Sequence, residues 1–182
     1  MEQLTLRDLT GYWEFHNRTE NKSADTVRWC NDALATLERY LVGAGMSTLI
    51  ADIGEPEVRG FIAHMQQQHC WEGLEGRESE RLLAAESIQT RVRALKAFFA
   101  WLHREDYTES HRLGRLPNYK TPKQVVEVLT EAEIGRLLKA CDPKTAWGAR
   151  GHAIVTLALD SGLRLSEITG LRTADLNLRP AG

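Results

Sequence analysis

From Ser87 onward the apolar residues fall on one helical face. Ile88, Val92, Leu95, Phe98, Phe99 and Leu102 recur at steps of three and four, while Gln89, Arg93 and Lys96 lie away from that stripe and Thr90, Arg91 and Ala94 form its shoulder. The spacing predicts an amphipathic helix of about five turns. A second stripe runs Val27, Cys30, Leu34, Leu37, Leu41, with Ser23 as N-cap and Asp25 placed to complement the helix dipole. Gly43-Ala44-Gly45 ends it. A third helix opens near Glu55-Pro56 and carries Val58, Phe61, Ile62 and Met65. Helices with one apolar face each must cover it against one another, so the fold class is mainly α, with a compact helical bundle over residues 1–112.

The remaining pattern is less regular. Leu4, Leu6, Leu9, Tyr12 and Trp13 form a short apolar segment that Gly11 and the polar run 17–21 are expected to limit. Gln66 to Arg77 reads as a loop, and Ser79 with Leu82-Leu83 as the approach to a further helical region. Residues 113–124 break the periodicity with Gly114, Pro117 and Pro122, and carry Arg115, Lys120 and Lys123 without an acidic residue. This stretch is expected to be a basic interdomain linker that touches a polyanion. Beyond it, Thr130-Glu131-Ala132-Glu133 is a capping box leading into Ile134, Leu137, Leu138 and Cys141. Asp142-Pro143 stops that helix, and Ala153–Leu159 begins the next apolar one.

Charge separates the two parts. Up to Arg112 there are 13 basic and 18 acidic residues; beyond it there are 10 and 7, so the second part is the better partner for an anion. No apolar run approaches the roughly 20 residues of a membrane span, and the start Met1-Glu2-Gln3-Leu4-Thr5 lacks the character of a signal peptide. Cys30, Cys70 and Cys141 are odd in number and widely spaced, which fits free thiols in a reducing cytoplasm. His64, His69 and Cys70 lack a fourth ligand at a convincing spacing, so no metal site is expected. Trp13, Trp29, Trp71, Trp101 and Trp147 are expected to be packing anchors rather than base-stacking platforms.

The most specific stretch is Ser161-Gly162-Leu163-Arg164-Leu165-Ser166-Glu167-Ile168. One helix stops at Gly162, a corner carries Arg164, and a new helix capped by Ser166 follows. An arginine beside the free N–H groups of a helix start is a natural grip for phosphate. Together with Leu171-Arg172 and Asp175-Leu176, this block resembles the box that holds the first catalytic arginine of the tyrosine recombinase (phage integrase) family. The stretch from Leu129 to Leu138 resembles the opening of that family's catalytic domain. The Ser23–Val42 helix with the Ser87–Leu102 helix is similar to its SAM-like core-binding domain.

That resemblance implies a core-binding domain at 1–112, a linker at 113–124 and the first helices of an incomplete catalytic domain at 125–182. It implies cleavage and rejoining of double-stranded DNA through a 3′-phosphotyrosyl link, without a cofactor, by a protein that assembles as a tetramer on two DNA sites. Arg164 matches the first phosphate-holding arginine, and Glu167 the acidic residue that supports it, although Glu167 is also simply a favourable first-turn residue. The DNA contacts implied by position are Thr26, Arg28, Ser87, Thr90, Arg91, Lys120 and Lys123. In the family the lysine, the His-x-x-Arg box and the nucleophilic tyrosine follow the first arginine. None of the residues after Arg164 is Tyr, His or Lys, and Tyr12, Tyr40, Tyr107 and Tyr119 all precede it. The chain alone is therefore expected to be inactive, a DNA-binding fragment of a recombinase. The alternative is a stand-alone, non-catalytic DNA-binding or interaction module derived from one.

Overall fold

The computed structural model describes residues 4–70, 79–122 and 127–175. The chain divides into two compact units, Met1–Lys123 and Gln124–Gly182. Its elements are helical, and among the described residues the only β pairing is two isolated bridges, Thr5–Leu49 and His69–Leu82.

The first unit contains α1 (Leu6–Thr19), α2 (Ala24–Gly43), α3 (Glu55–Gln67) and α4 (Ala85–Arg104). Helix α2 packs against the other three, and α3 also packs on α4. Helix α1 is longer than the glycine and the polar run suggest. Thr5 and Asp8 cap it reciprocally, and the backbone turns away only at Asn21, where φ is 56°. Gly11 sits on the exposed face with nothing near it, so its cost of about 1 kcal/mol is outweighed by the burial of Leu6, Leu9 and Trp13. Ser23 caps α2 as expected, and Gly45 at φ 67° closes it while Met46 N–H returns to the Leu41 carbonyl at 2.8 Å.

The core is built from the anticipated stripes. Phe61, Phe98, Phe99, Leu34, Leu37, Leu41 and Ile88 are fully buried, each contributing about 1.5–3 kcal/mol by burial. Ala94, placed on the shoulder by its spacing, is buried too. Trp13 and Trp101 anchor an aromatic cluster with Phe98, all three ring pairs lying within 6 Å. Trp147 departs from the packing expectation, being 81% exposed, and Trp71 lies outside the described residues. The segment 79–84 is not helical: it runs extended, with Cys70 N–H on the Arg81 carbonyl and Leu83 N–H on the Gln68 carbonyl.

The stretch expected to begin the linker is largely fastened to this unit. Leu113 and Leu116 belong to the core cluster. Lys96 Nζ donates to the Leu116 carbonyl at 2.8 Å and to Asn118 Oδ1 at 2.9 Å. Gln89 donates to the Tyr119 carbonyl, and Gln66 to the Tyr119 hydroxyl. Two buried leucines three residues apart, with the hydrogen bonds from Lys96, Gln89 and Gln66, strap an otherwise glycine- and proline-punctuated segment across the bundle.

The second unit holds α5 (Glu131–Ala140), α6 (Ala146–Ser161), α7 (Leu165–Gly170) and a 3-10 turn at Thr173–Asp175. Thr130 and Glu133 form the expected capping box. Helix α6 starts earlier than its apolar run, at the Thr145 cap, whose hydroxyl accepts from Gly148 N–H. Helices α5 and α6 pack together, yet no described residue of this unit is buried, and Leu137, Ile154, Leu159 and Leu165 are exposed. Leu176 and Leu178 lie outside the described residues.

Candidate functional site

Two places in the chain concentrate the chemistry singled out above. The first is the corner between α6 and α7. Gly162 takes the left-handed conformation (φ 63°, ψ 19°) that ends α6, and its N–H closes on the Ala158 carbonyl at 3.0 Å. Arg164, not Ser166, is then the N-cap of α7: its backbone is extended, its carbonyl accepts from Ile168 N–H at 3.0 Å, and its own N–H is taken up by Glu167 Oε2 at 2.7 Å. The other Glu167 oxygen accepts from the Arg164 guanidinium at 3.3 Å. One carboxylate thus holds both the backbone and the side chain of Arg164. The guanidinium remains 83% exposed, with its other donors unengaged by any described residue. A planar, oriented cation of this kind can accept two oxygens of one phosphate.

The second place is in the first unit, on the face shared by α2, α4 and the extended segment before α4. A groove of about 1130 Å³ opens there, and Arg39, Arg81 and Arg91 are among its lining residues with Thr36, Ser87 and His64. No described lining residue is acidic. None of the three arginines forms an ion pair with a described residue; Arg39 makes only a hydrogen bond to Thr36 Oγ1. Arg91 is half-buried, and burial is the main cause lowering its pKa, followed by repulsion from Arg39; Asp32 works the other way. Two cations lining one open groove without an ion pair to a described residue destabilise each other until an anion arrives.

The residues expected from position scatter over this surface. Ser87 and Arg91 line the groove, and both also line an adjoining shallow cleft of about 330 Å³ that Thr90 borders. Thr26 is partly spoken for, its hydroxyl lying 2.9 Å from that of the Ser23 cap. Arg28 is exposed and paired with Asp25 at 3.1 Å. Lys120 is exposed and has no described partner, while Lys123 lies outside the described residues. Tyr119 packs against the core and is held at both its hydroxyl and its carbonyl. Sequence reasoning missed Arg39 and Arg81. The signal for Arg39 was present: Arg28, Asp32, Thr36 and Arg39 follow one another at four-, four- and three-residue steps, the polar counterpart of the buried stripe. Arg81 had no such signal, because only the pairing of 79–84 with 68–70 brings it to the groove. Among the described residues no group of three or more metal-ligating side chains occurs, and no helix is long and apolar enough to cross a membrane.

No family model matches the chain. It is 27% identical over 177 residues to tyrosine recombinase XerC of Oceanobacillus iheyensis, covering 97% of this chain and 53% of that protein. It is 33% identical over 163 residues to tyrosine recombinase XerC of Syntrophus aciditrophicus, covering 80% and 51%. Among solved structures it is similar to an integrase from mycobacterium phage Brujita, with a TM-score of 0.46 and 23% identity over 88% of this chain and 47% of that one. The chain spans about half the length of these relatives.

Proposed function

The chain belongs to the tyrosine recombinase family, and on that premise we propose that it is the DNA-binding portion of a site-specific recombinase. In this reading residues 1–112 are the core-binding domain, 113–124 connect it, and 125–182 begin the catalytic domain. The α2–α4 face of the first unit holds duplex DNA, with Arg39, Arg81 and Arg91 joining Ser87 and Thr90, and with Thr26, Arg28, Lys120 and Lys123 contributing further contacts. Arg164, oriented by Glu167, is the first of the arginines that hold the scissile phosphate in the complete protein. There it stabilises charge that develops as a tyrosine attacks. That nucleophile, the second arginine and the tetramer interface belong to the complete protein, and the chain alone binds without cleaving. Its place of action in this reading is the cytoplasm.

The observation that carries the reading is the groove with no acidic residue among its described lining and with three arginines, two of which repel one another without an ion pair to a described residue. Such an arrangement gains most from a polyanion. The test is fluorescence anisotropy of the 182-residue chain on duplex DNA at a series of salt concentrations. Affinity is expected to fall steeply with salt, and Arg39→Gln to reduce the log–log slope by about 0.9, the contribution of one phosphate. Salt-independent binding, or no binding at low salt, refutes the proposal.

A further inference from the structure

The two recesses of the α2–α4 face share Arg91 and Ser87 but differ in charge. The large groove carries no acidic residue among its described lining, whereas the small cleft is bordered by Asp32 and Glu86 as well as by Trp29 and Thr90. A carboxylate is a poor neighbour for a phosphate. A surface meant only to rest on the DNA backbone gains nothing from two of them. Asp32 is near enough to Arg91 for its charge to be felt, yet the two do not form an ion pair, and neither Asp32 nor Glu86 pairs with any other described cation. Donor and acceptor therefore stand side by side with hydrogen bonds still to make. A base-pair edge in the major groove presents the complementary pattern, and a phosphate does not.

We propose that the cleft centred on Arg91 reads a G·C base pair in the major groove: the Arg91 guanidinium donates to guanine O6 and N7, and the Asp32 carboxylate accepts from the cytosine N4 amino group. The groove beside it, with Arg39 and Arg81 and no acidic residue among its described lining, seats the adjoining phosphates. Sequence choice and backbone affinity are thereby assigned to neighbouring recesses that meet at one arginine. This inference rests on the reading that the α2–α4 face binds duplex DNA, and it goes beyond it by naming what is read.

Selection from a pool of randomised duplex DNA with the 182-residue chain tests it. The selected sites are expected to share an invariant G·C pair. Arg91→Lys, which keeps the charge but not the fork, and Asp32→Ala, which removes the acceptor, are each expected to relax choice at that same position by roughly ten- to a hundredfold. Arg91→Lys should leave the salt slope nearly unchanged. Replacing the selected guanine by 7-deazaguanine, which lacks N7, should weaken the unaltered chain and leave Arg91→Lys unaffected. If Arg91→Lys or Asp32→Ala instead weakens all sequences alike, or if 7-deazaguanine affects both proteins equally, the readout is wrong although the chain still binds DNA. If the unaltered chain binds no duplex at low salt, the underlying DNA reading falls first. Arg39→Gln separates the recesses: it should lower the salt slope while keeping the selected base pair, and loss of that pair's selection overturns the division of roles.

Discussion

Replacing Arg91 by methionine sets folding and function against each other. The guanidinium is half-buried on the shoulder of α4, makes no ion pair with a described residue, and is repelled by Arg39. Desolvation and like charge both oppose the cation, and only Asp32 favours it. Methionine keeps an unbranched apolar stem of similar reach against Trp29 and Ala33, which border the same cleft. It removes the charge that the fold does not use. Solvent screening at a half-exposed position limits the gain, so Arg91→Met is expected to leave stability unchanged or raise it by up to about 1 kcal/mol. Urea denaturation followed by helical circular dichroism measures this. Duplex DNA affinity should fall in the same protein, the pattern of a residue retained for binding at the expense of the fold. A loss of stability greater than about 1 kcal/mol would show that Arg91 supports the bundle and would remove the argument for a charge the fold does not use.

Three further outcomes follow from the geometry. Lys96→Met deletes the bonds from Nζ to the Leu116 carbonyl and Asn118, and is expected to cost about 1–3 kcal/mol and to open the chain to trypsin after Arg115 and Lys120; unchanged proteolysis would show that Leu113 and Leu116 hold the strap alone. Hydrogen bonds from Arg18 first, and then Asn31, hold the Glu14 carboxyl below the usual glutamate range; because the folded value is the lower one, this stabilisation is present above the unfolded pKa of about 4.3 and is lost as pH falls through the folded value. Glu14→Gln should flatten that part of the stability curve, and an identical acid limb in both proteins would contradict the assignment. In the complete recombinase, Arg164→Ala is expected to abolish covalent DNA–protein adducts while leaving DNA binding largely intact, and retained adducts would remove Arg164 from the chemistry.

Much of the bundle was legible because burial and helical period coincide. Val27 to Leu41 and Ile88 to Leu102 each mark a core stripe by spacing alone, and Ser23 and Thr130 mark the caps of α2 and α5. What was not legible depended on contacts between distant segments. Leu113 and Leu116 look like stray apolar residues in a broken stretch until the bundle supplies the surface they cover. Helix α1 outlasts its glycine because its buried face is set by α2 and α4 rather than by propensity. At the corner, Arg164 and Glu167 were visible as a motif, but the double use of one carboxylate, on backbone and guanidinium together, needed coordinates. The groove shows the same division: Ser87, Thr90 and Arg91 follow from the pattern of α4, whereas their meeting with Arg39 and Arg81 follows only from how α2 and the 79–84 segment pack beside it.

The central claim is that duplex DNA lies on the α2–α4 face of the first unit. Amide chemical-shift mapping by NMR, as duplex DNA is titrated into the chain at low salt, tests it most directly. The largest changes are expected at Thr36, Arg39, Arg81, Ser87, Thr90 and Arg91, with little change along the outer side of α1 at Tyr12 and Phe15. Changes confined to α1, or none on α2 and α4 while binding is saturated, would contradict it.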